Sequence, residues 1–347
     1  MLKTALAKPG AWLAKSGPDQ DVVLNTRGTL VRNLADLPFP IRCSEDEKRT
    51  VQDRVLQALD GAGLLASGSY MELTELHVRE VRMLVERKLI SKHLIESRGP
   101  RGVYIANDQS VSIMINERDH IRITAVARGL QPQEVWSTLS SIDDALHMPL
   151  DYAYHEKHGF LTSALYEVGT GLKLRAMLHL HALASNGRVS EVIDSAHVDH
   201  HDFEGEFGPV ASAPGDLFSL TNRSTLGSSE GEIDFHLRAF TGKLMQQERD
   251  ARAAMGSGNG HALADRVGRA LGVARGARVL EWEEALTLLS HLRLGVATGQ
   301  LESVSYETVD ELQIIAQPAH LECRLGAASD DITINAARAD LFRDRFA

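Results

Sequence analysis

The apolar residues of this chain follow two different patterns, which meet at the glycine-rich segment GSGNG at positions 256–260. Before this segment the spacing changes between strand-like and helix-like, whereas after it apolar residues recur only at helical spacing. The predicted helices after it lie at about 262–273, 281–294, 307–317 and 336–346. Glycine and serine lack side chains that would pack a linker against a core. The 347-residue sequence therefore predicts an α+β domain over residues 1–255, followed by a helical domain over residues 256–347.

Local signals place several elements in the first part of the chain. The sequence SEDE at 44–47 is a capping box that opens a helix, and Gly61 ends that helix. Residues 111–127 predict two strands, because their apolar residues alternate with polar ones. Over 170–186 the apolar residues fit helical spacing, which predicts a helix. A second capping box at 229–232 opens a further long helix.

The charge and the cysteine content of the chain argue against several classes of function. The formal net charge is −10, and an acidic chain lacks the clustered Lys and Arg that nucleic-acid phosphates require. No apolar run approaches the ~20 residues that a membrane span needs, and the N-terminal segment lacks the apolar core of a signal peptide. Cys43 and Cys323 are the two cysteines, which excludes a disulfide framework and favours a cytoplasmic location.

Seven segments, taken together, carry a resemblance to a known family. In chain order they are DVVLNTRGTLVRNL (21–34), SIMINERDHIRI (112–123), GFLTSALYEVGTGL (159–172), FEGEFGP (203–209), LTNRSTLG (220–227), SHLRLGVATG (290–299) and IIAQPAHL (314–321). In this order and spacing they resemble the ATP:guanido phosphotransferases, the family of arginine and creatine kinases. The bacterial protein arginine kinases are the closest match. One such segment would be weak evidence, but seven in order across nearly the whole chain are specific.

The resemblance implies both a fold and a reaction. The fold is an antiparallel sheet surrounded by helices, with ATP lying across the sheet and a C-terminal helical domain that helps to form a homodimer. The reaction transfers a phosphoryl group from ATP to arginine side chains of proteins. In this family five arginines bind the phosphates, two glutamates bind and deprotonate the guanidinium, and a cysteine thiolate assists its placement. Phosphoryl transfer depends on such positioning and charge stabilisation.

The five arginine positions of the family are only partly kept. Arg27 and Arg122 match the family, whereas the second arginine of the first segment is Thr29. Lys173 keeps a positive charge but lacks the planar fork that binds a phosphate through two hydrogen bonds. Glu204 replaces an arginine and inverts its charge. Two unit charges ~5 Å apart interact by roughly 3 kcal/mol at an effective dielectric of about 20, so this inversion is expected to weaken nucleotide binding.

The positions that act on the guanidinium have changed further. The family motif Asn-Glu-Glu-Asp-His reads NERDH at 116–120, so Arg118 stands at the position of the general base. In the loop that reads Thr-Ser-Cys-Pro-Thr-Asn in the family, Ala164 replaces the cysteine and Glu167 the asparagine. Pro209 replaces the glutamate that ends the Arg-Gly-x-x-Gly-Glu element. Losing a group of this kind typically costs ~10²-fold or more in rate.

These replacements favour a pseudokinase, a kinase-like protein that binds or regulates a protein partner without transferring phosphate. The cleft of such a protein, with Glu117, Glu167, Glu204 and Glu206 in its neighbourhood, is expected to prefer cations such as a partner's arginine side chains over ATP. The alternative is an active protein arginine kinase that uses ATP and magnesium in a rearranged site. In that case Glu117, Glu204 or Glu206 replaces the base and Arg118 supplies a phosphate contact.

Some of the same residues fit plainer interpretations. Arg27 and Arg122 are then remnants of the family pattern that form ordinary surface ion pairs. Glu117 and Arg118 are then no more than a solvated turn between two strands. These interpretations require no ligand.

A polar stretch outside the family segments, HVDHHD at 197–202, suggests a metal site. On a strand, His197, Asp199 and His201 would share one face, and three such ligands could bind a divalent cation. The plainer interpretation is an exposed strand edge near a loop.

Overall fold

The structure is a computed structural model that describes residues 10–258 and 260–347. Its strands are β1 (Val23–Arg32), β2 (Gly68–Glu72), β3 (Gly102–Ala106), β4 (Val111–Ile115), β5 (Ile121–Arg128), β6 (Tyr154–His155), β7 (Gly159–Phe160), β8 (Leu172–His179), β9 (His201–Gly205) and β10 (Leu217–Asn222). Eight of them form one antiparallel sheet in the order β2-β3-β4-β5-β1-β8-β10-β9, and β6 pairs with β7.

The α-helices of the described residues surround this sheet and then continue alone to the C-terminus. They are α1 (Glu45–Gly61), α2 (Val78–Glu86), α3 (Lys92–Glu96), α4 (Pro132–His147), α5 (His181–Ser185), α6 (Val189–Val198), α7 (Glu230–Gly258), α8 (Gly260–Gly276), α9 (Trp282–Ala297), α10 (Tyr306–Ile315), α11 (Pro318–Leu325) and α12 (Asp331–Phe346). An antiparallel sheet with flanking helices, followed by a helical region, confirms the predicted α+β fold. The division at residue 255 stays a prediction.

The sheet has one apolar face and one polar face because its central strands alternate. On β1 and β8, Leu30, Leu174 and Ala176 are fully buried in the main hydrophobic core, together with apolar residues of α4 and α7. Gly28 lies on the same face, so close to α4 that an added Cβ would meet Leu139 and Val135 at 2.6 Å. The polar face therefore remains for the charged residues of these strands.

The expected helix over 170–186 is wrong. Residues 172–179 form strand β8, and only His181–Ser185 is helical. The apolar residues of this stretch fit both periods, and β1 and β10 decide the outcome because each pairs with β8 along its length. Packing against two neighbouring strands outweighs a local preference for helix.

Other local expectations are confirmed. Residues 111–115 and 121–128 form paired strands, and both capping boxes are present, at 44–47 and at 229–232. The predicted C-terminal helices all exist, although helix Pro318–Leu325 was not predicted. Helix α7 extends through Gly258, and α8 begins at Gly260.

The C-terminal helices (residues 260–347) pack on the sheet region (residues 10–258) along a surface that we call the seam. Asp310 of α10 lies in the seam and is bound by Arg128 from the sheet and by Arg293 from α9, all three almost completely buried. Phe207 and Trp282 make an edge-on ring contact across the seam at 5.5 Å. Buried, paired charges of this kind fix the position of one region on the other.

None of the helices within residues 10–258 and 260–347 has the length and apolar character required to cross a bilayer.

The contact between Gly28 and α4 predicts an overpacking effect. Replacing Gly28 with alanine should lower the free energy of unfolding by about 1–3 kcal/mol, because the new methyl group has no space. The matched control is Gly61→Ala at the end of α1, where an added Cβ meets no atom within 4 Å and alanine favours the helix. Denaturant unfolding of both variants at pH 7 measures the difference, and equal free energies would contradict this packing.

Candidate active site

The strand register places the family's phosphate-binding positions together on the polar face of the sheet. Thr29 pairs with Lys173 on one side and with Thr124 on the other, and Val31 pairs with Arg122. Because directly paired residues of antiparallel strands share a face, Arg27, Thr29, Arg122 and Lys173 lie on the same surface. Glu204 on β9 pairs with Ser219 and joins this surface at the sheet edge. Strand pairing thus brings these five positions onto one surface of the sheet.

Arg27 lies at a phosphate-binding position of the family and keeps its guanidinium free of carboxylate partners among the described residues. Its Nη1 donates to the Lys88 carbonyl at 2.7 Å, and it forms no ion pair with a carboxylate among the described residues. Burial and the neighbouring charge of Arg175 lower the pKa of Arg27 to about 10. Beside it, Thr29 contributes only a hydroxyl, 3.4 Å from the Thr124 hydroxyl.

A carboxylate has entered the cleft beside Arg27. Glu206 has a side chain only 4% exposed and binds Arg175 and the Lys88 ammonium, the latter at 3.1 Å. Burial alone would raise the pKa of Glu206, but Arg175 and Lys88 outweigh it and lower that pKa. Glu206 is therefore a paired carboxylate and a weak base. Sequence analysis missed Arg175 and Lys88. Arg175 could have been found, because strand alternation puts it on the same face as Lys173.

The guanidinium of Arg122 is enclosed by two glutamates of this chain. Its Nη2 donates to both oxygens of Glu167, at 2.9 and 3.0 Å, and its Nε lies 3.3 Å from Glu117. Burial would raise the pKa of Glu117, but Arg122 and the Ser91 hydroxyl lower it on balance. Glu117 is 3% exposed and the Arg122 side chain 12%, so neither the solvated turn nor the surface ion pair is correct here.

Arg118 covers this cluster from outside. Its Nη2 donates to the Tyr166 hydroxyl at 3.0 Å and lies 3.8 Å from Glu167. The Tyr166 ring in turn lies under the Lys173 ammonium, whose hydrogen bonds go to the carbonyls of Asn222 and Arg223. Tyr166 therefore bridges the two basic residues through one hydrogen bond and one cation–π contact. Sequence reasoning gave no role to Tyr166.

Two of the remaining predicted positions, Ala164 and Pro209, supply no acid–base group. Ala164 precedes the short turn Leu165–Glu167, and its carbonyl accepts from the Thr162 hydroxyl at 2.8 Å. Pro209 is exposed and begins the turn after β9, and its ring nitrogen carries no proton. Glu204 is the exposed carboxylate of the polar face.

The metal site predicted at 197–202 is wrong in its geometry. His197 lies in helix α6, Asp199 caps the end of that helix, and His201 starts strand β9 with its ring stacked on Phe240. The chain reverses between them, because His200 adopts a positive φ of 58°, so the alternation of a strand does not apply. Across the described ranges, three side chains with atoms of types that could bind a metal lie together elsewhere, at His179, His181 and Asp216.

Comparisons with known proteins agree with this architecture. A family model described as ATP:guanido phosphotransferase, C-terminal catalytic domain, matches residues 50–251. The crystal structure of lombricine kinase aligns with a TM-score of 0.60, is 21% identical and covers 73% of this chain and 76% of its own. The duplicated taurocyamine kinase from Schistosoma mansoni aligns with a TM-score of 0.61, at 20% identity, over 76% of this chain and 40% of its own. At these identities the solved structures establish the fold, which is that of an ATP:guanido phosphotransferase.

The C-terminal region and the full-length relatives show to which family of ATP:guanido phosphotransferases the chain belongs. A second family model, described as Protein-arginine kinase McsB C-terminal domain, matches residues 260–347. The protein-arginine kinase of Desulforamulus reducens is 36% identical over 99% of this chain and 98% of its own. That of Moorella thermoacetica is 35% identical over 99% of both chains. The chain belongs to the protein-arginine kinase family.

The enclosure of Arg122 predicts that Glu167 stabilises the fold. Replacing Glu167 with glutamine should lower the free energy of unfolding by about 1–3 kcal/mol, because a buried guanidinium loses part of its charge partner. The same change at exposed Glu204 should alter it by less than about 0.5 kcal/mol. Denaturant unfolding at pH 7 compares the two, and a Glu204→Gln effect as large as that of Glu167→Gln would contradict the pairing described.

Proposed function

We propose that this member of the protein-arginine kinase family is a pseudokinase that does not transfer phosphate to arginine. The observation that carries the proposal is that Arg122, at one of the family's phosphate-binding positions, is held by two glutamates of this chain. Glu117 and Glu167 both bind Arg122, and Arg118 lies at the position of the base. A guanidinium substrate would have to displace a buried, charge-paired arginine before it could meet these carboxylates.

The phosphate side of the cleft supports the same proposal. A triphosphate needs free cations, yet Arg175 and Lys88 are paired with Glu206, and the Lys173 ammonium is bound to two backbone carbonyls. Among the described arginines that sequence analysis placed on this face, Arg27 has no carboxylate partner, although its Nη1 is bound to the Lys88 carbonyl. The residues present therefore fit ATP and magnesium poorly, because a bound nucleotide would gain one strong contact and face two glutamates, Glu204 and Glu206.

The partner that this cleft fits best is a protein with exposed arginine side chains. Arg118 is 35% exposed and lies 3.8 to 4.0 Å from Glu167 and Glu117, so its ion pairs are long. An arginine from a partner could take the place of Arg118 at these carboxylates with shorter hydrogen bonds. A homodimer formed through residues 256–347, as in the proposed domain division, would present two such clefts.

Isothermal calorimetry tests whether the cleft binds magnesium-ATP or arginine side chains. We expect no heat of binding with magnesium-ATP and micromolar to millimolar binding of an arginine-rich peptide, weakened at least tenfold by Glu167→Gln because that substitution removes a charge from the site. A lysine-rich peptide of equal charge is the control for non-specific attraction to a chain of net charge −10. Micromolar binding of magnesium-ATP would overturn the proposal.

An active protein-arginine kinase is the second candidate, and the relatives favour it directly. Proteins named protein-arginine kinase match almost the whole chain at 34–36% identity. Such an enzyme would need a base, and Glu117 and Glu206 are poor ones because neighbouring cations lower the pKa of each. Glu204 is the exposed carboxylate left on the polar face.

A phosphoarginine assay decides between the candidates. We expect the purified chain to form no acid-labile phosphate on arginine-containing protein, whereas an active family member assayed in parallel does so. Activity that Glu204→Gln reduces ~10²-fold or more would establish the kinase with Glu204 as its base. Activity unchanged by that substitution would establish a kinase with a different base.

A further inference from the structure

Three buried histidines at the seam share one unusual hydrogen-bond arrangement. Arg252 donates to Nδ1 of His179 at 3.3 Å, Arg266 to Nε2 of His181 at 2.9 Å, and Arg87 to Nε2 of His320 at 2.9 Å. A guanidinium can only donate, so each of these ring nitrogens must be an unprotonated acceptor. Hydrogen bonding thus fixes the tautomer of each ring, and burial lowers the pKa of His179 and His320, which favours their neutral form.

The other ring nitrogen of each histidine binds an acceptor, mostly across the seam. Nε2 of His179 donates to the Ser290 hydroxyl of α9 at 2.9 Å, and Nδ1 of His181 donates to Asp216 at 2.7 Å. Ser290 also donates to Asp216, again at 2.7 Å. Nδ1 of His320 on α11 donates to Glu86 of the sheet region at 2.7 Å. Neutral histidines thus complete hydrogen-bond networks that join the C-terminal helices to the sheet region.

A metal ion fits His179, His181 and Asp216 less well than this network does. Their ligand atoms lie within 4.8 Å of one another, but the Ser290 hydroxyl is bonded to all three and occupies the space between them. A histidine that binds a metal normally donates its second N–H to an acceptor. Here the second nitrogens of both histidines face the donors Arg252 and Arg266.

We propose that these histidines form a proton-sensitive clasp, which keeps the C-terminal helices docked at neutral pH and releases them on acidification. Protonation would convert a ring nitrogen from an acceptor into a donor that faces an arginine donor. It would also add a positive charge to a buried site that already holds guanidinium groups. The clasp is distinct from the pseudokinase cleft and does not depend on whether the chain transfers phosphate.

The charged groups around the clasp set the direction of the effect. Those facing His179 and His181 are Asp216, Glu248, Arg252, Arg266, His291 and Arg293. Those facing His320 are Glu86 and Arg87. Glu248 is engaged by Arg252 and by two backbone amides, so it does not compensate a proton on His179. Two carboxylates, Asp216 and Glu86, oppose the effect only in part, because each already accepts hydrogen bonds from the neutral rings.

Burial of these histidines also predicts that acidification weakens docking. It lowers the pKa of His179 well below its ordinary value and lowers that of His320. A histidine with a lowered pKa in the docked state stabilises docking above about pH 6.5 and loses that contribution as the pH falls. Below about pH 6.5, each such histidine should raise the ratio of undocked to docked molecules by up to about tenfold per pH unit.

Small-angle X-ray scattering and hydrogen exchange of the full chain test the clasp. Between pH 7.5 and 5.0 we expect a reversible increase in the radius of gyration at unchanged oligomeric mass. Amides of α9 and α11 should lose protection, after correction for intrinsic exchange, while the central strands keep theirs. The variant His179→Asn, His181→Gln, His320→Gln replaces each ring acceptor with an amide oxygen that does not titrate in this range, and it should stay docked at pH 5.0.

The matched control replaces three exposed histidines, His93, His155 and His158, with glutamine and should open at the same pH as the unmodified chain. Far-UV circular dichroism checks that the seam variant is folded, and the single variants His179→Asn and His320→Gln should each reduce the pH dependence in part. The clasp proposal would be overturned if the unmodified chain stayed docked down to pH 5.0. It would also be overturned if the triple histidine variant opened at the same midpoint pH as the unmodified chain. The pseudokinase proposal is judged separately, by the calorimetry and the phosphoarginine assay.

Discussion

The requirement that a charge removed from water must find a partner governs the polar face of this sheet. In the family, phosphates and a guanidinium substrate supply those partners when they bind. Here the chain supplies them itself: Glu167 binds Arg122, and Glu206 binds Arg175 and Lys88. Breaking one such pair costs more than its formation gains, because the remaining charge stays buried. The charged residues on this face are therefore best considered together with the partners that they bind.

This pairing connects the stability of the fold to the proposed loss of phosphoryl transfer. A catalytic cleft keeps charges unsatisfied until the substrate arrives, and the fold bears the resulting cost. In this chain Glu117 and Glu167 stabilise the turn between β4 and β5 and the loop before β8 through Arg122. A carboxylate used in this way is held in its charged form and is a weak base. The geometry that stabilises these elements is thus the geometry that argues against proton abstraction.

The sequence predicted the fold class and the set of positions on the polar face, because both depend on segment order and strand alternation. It could not predict which charges would pair. Arg175 and Glu206 are 31 residues apart in the chain, and their contact depends on the register of β8, β10 and β9. The error over 170–186 had the same origin, since that segment becomes a strand only when β1 and β10 lie beside it. The metal prediction failed because His197 and Asp199 belong to a helix and its end, and the chain turns at His200 before His201 begins a strand.

The cleft and the proposed clasp are physically contiguous through three consecutive residues. Glu86 and Arg87 bind His320 at the seam, and Lys88 accepts the Arg27 hydrogen bond through its carbonyl and binds Glu206 through its ammonium. Lys88 has a positive φ of 58°, a conformation that a side-chain-bearing residue adopts only when its surroundings impose it. Release of His320 would remove part of that support. The seam is therefore placed where its opening would alter the charge balance around Arg27, which has no carboxylate partner among the described residues.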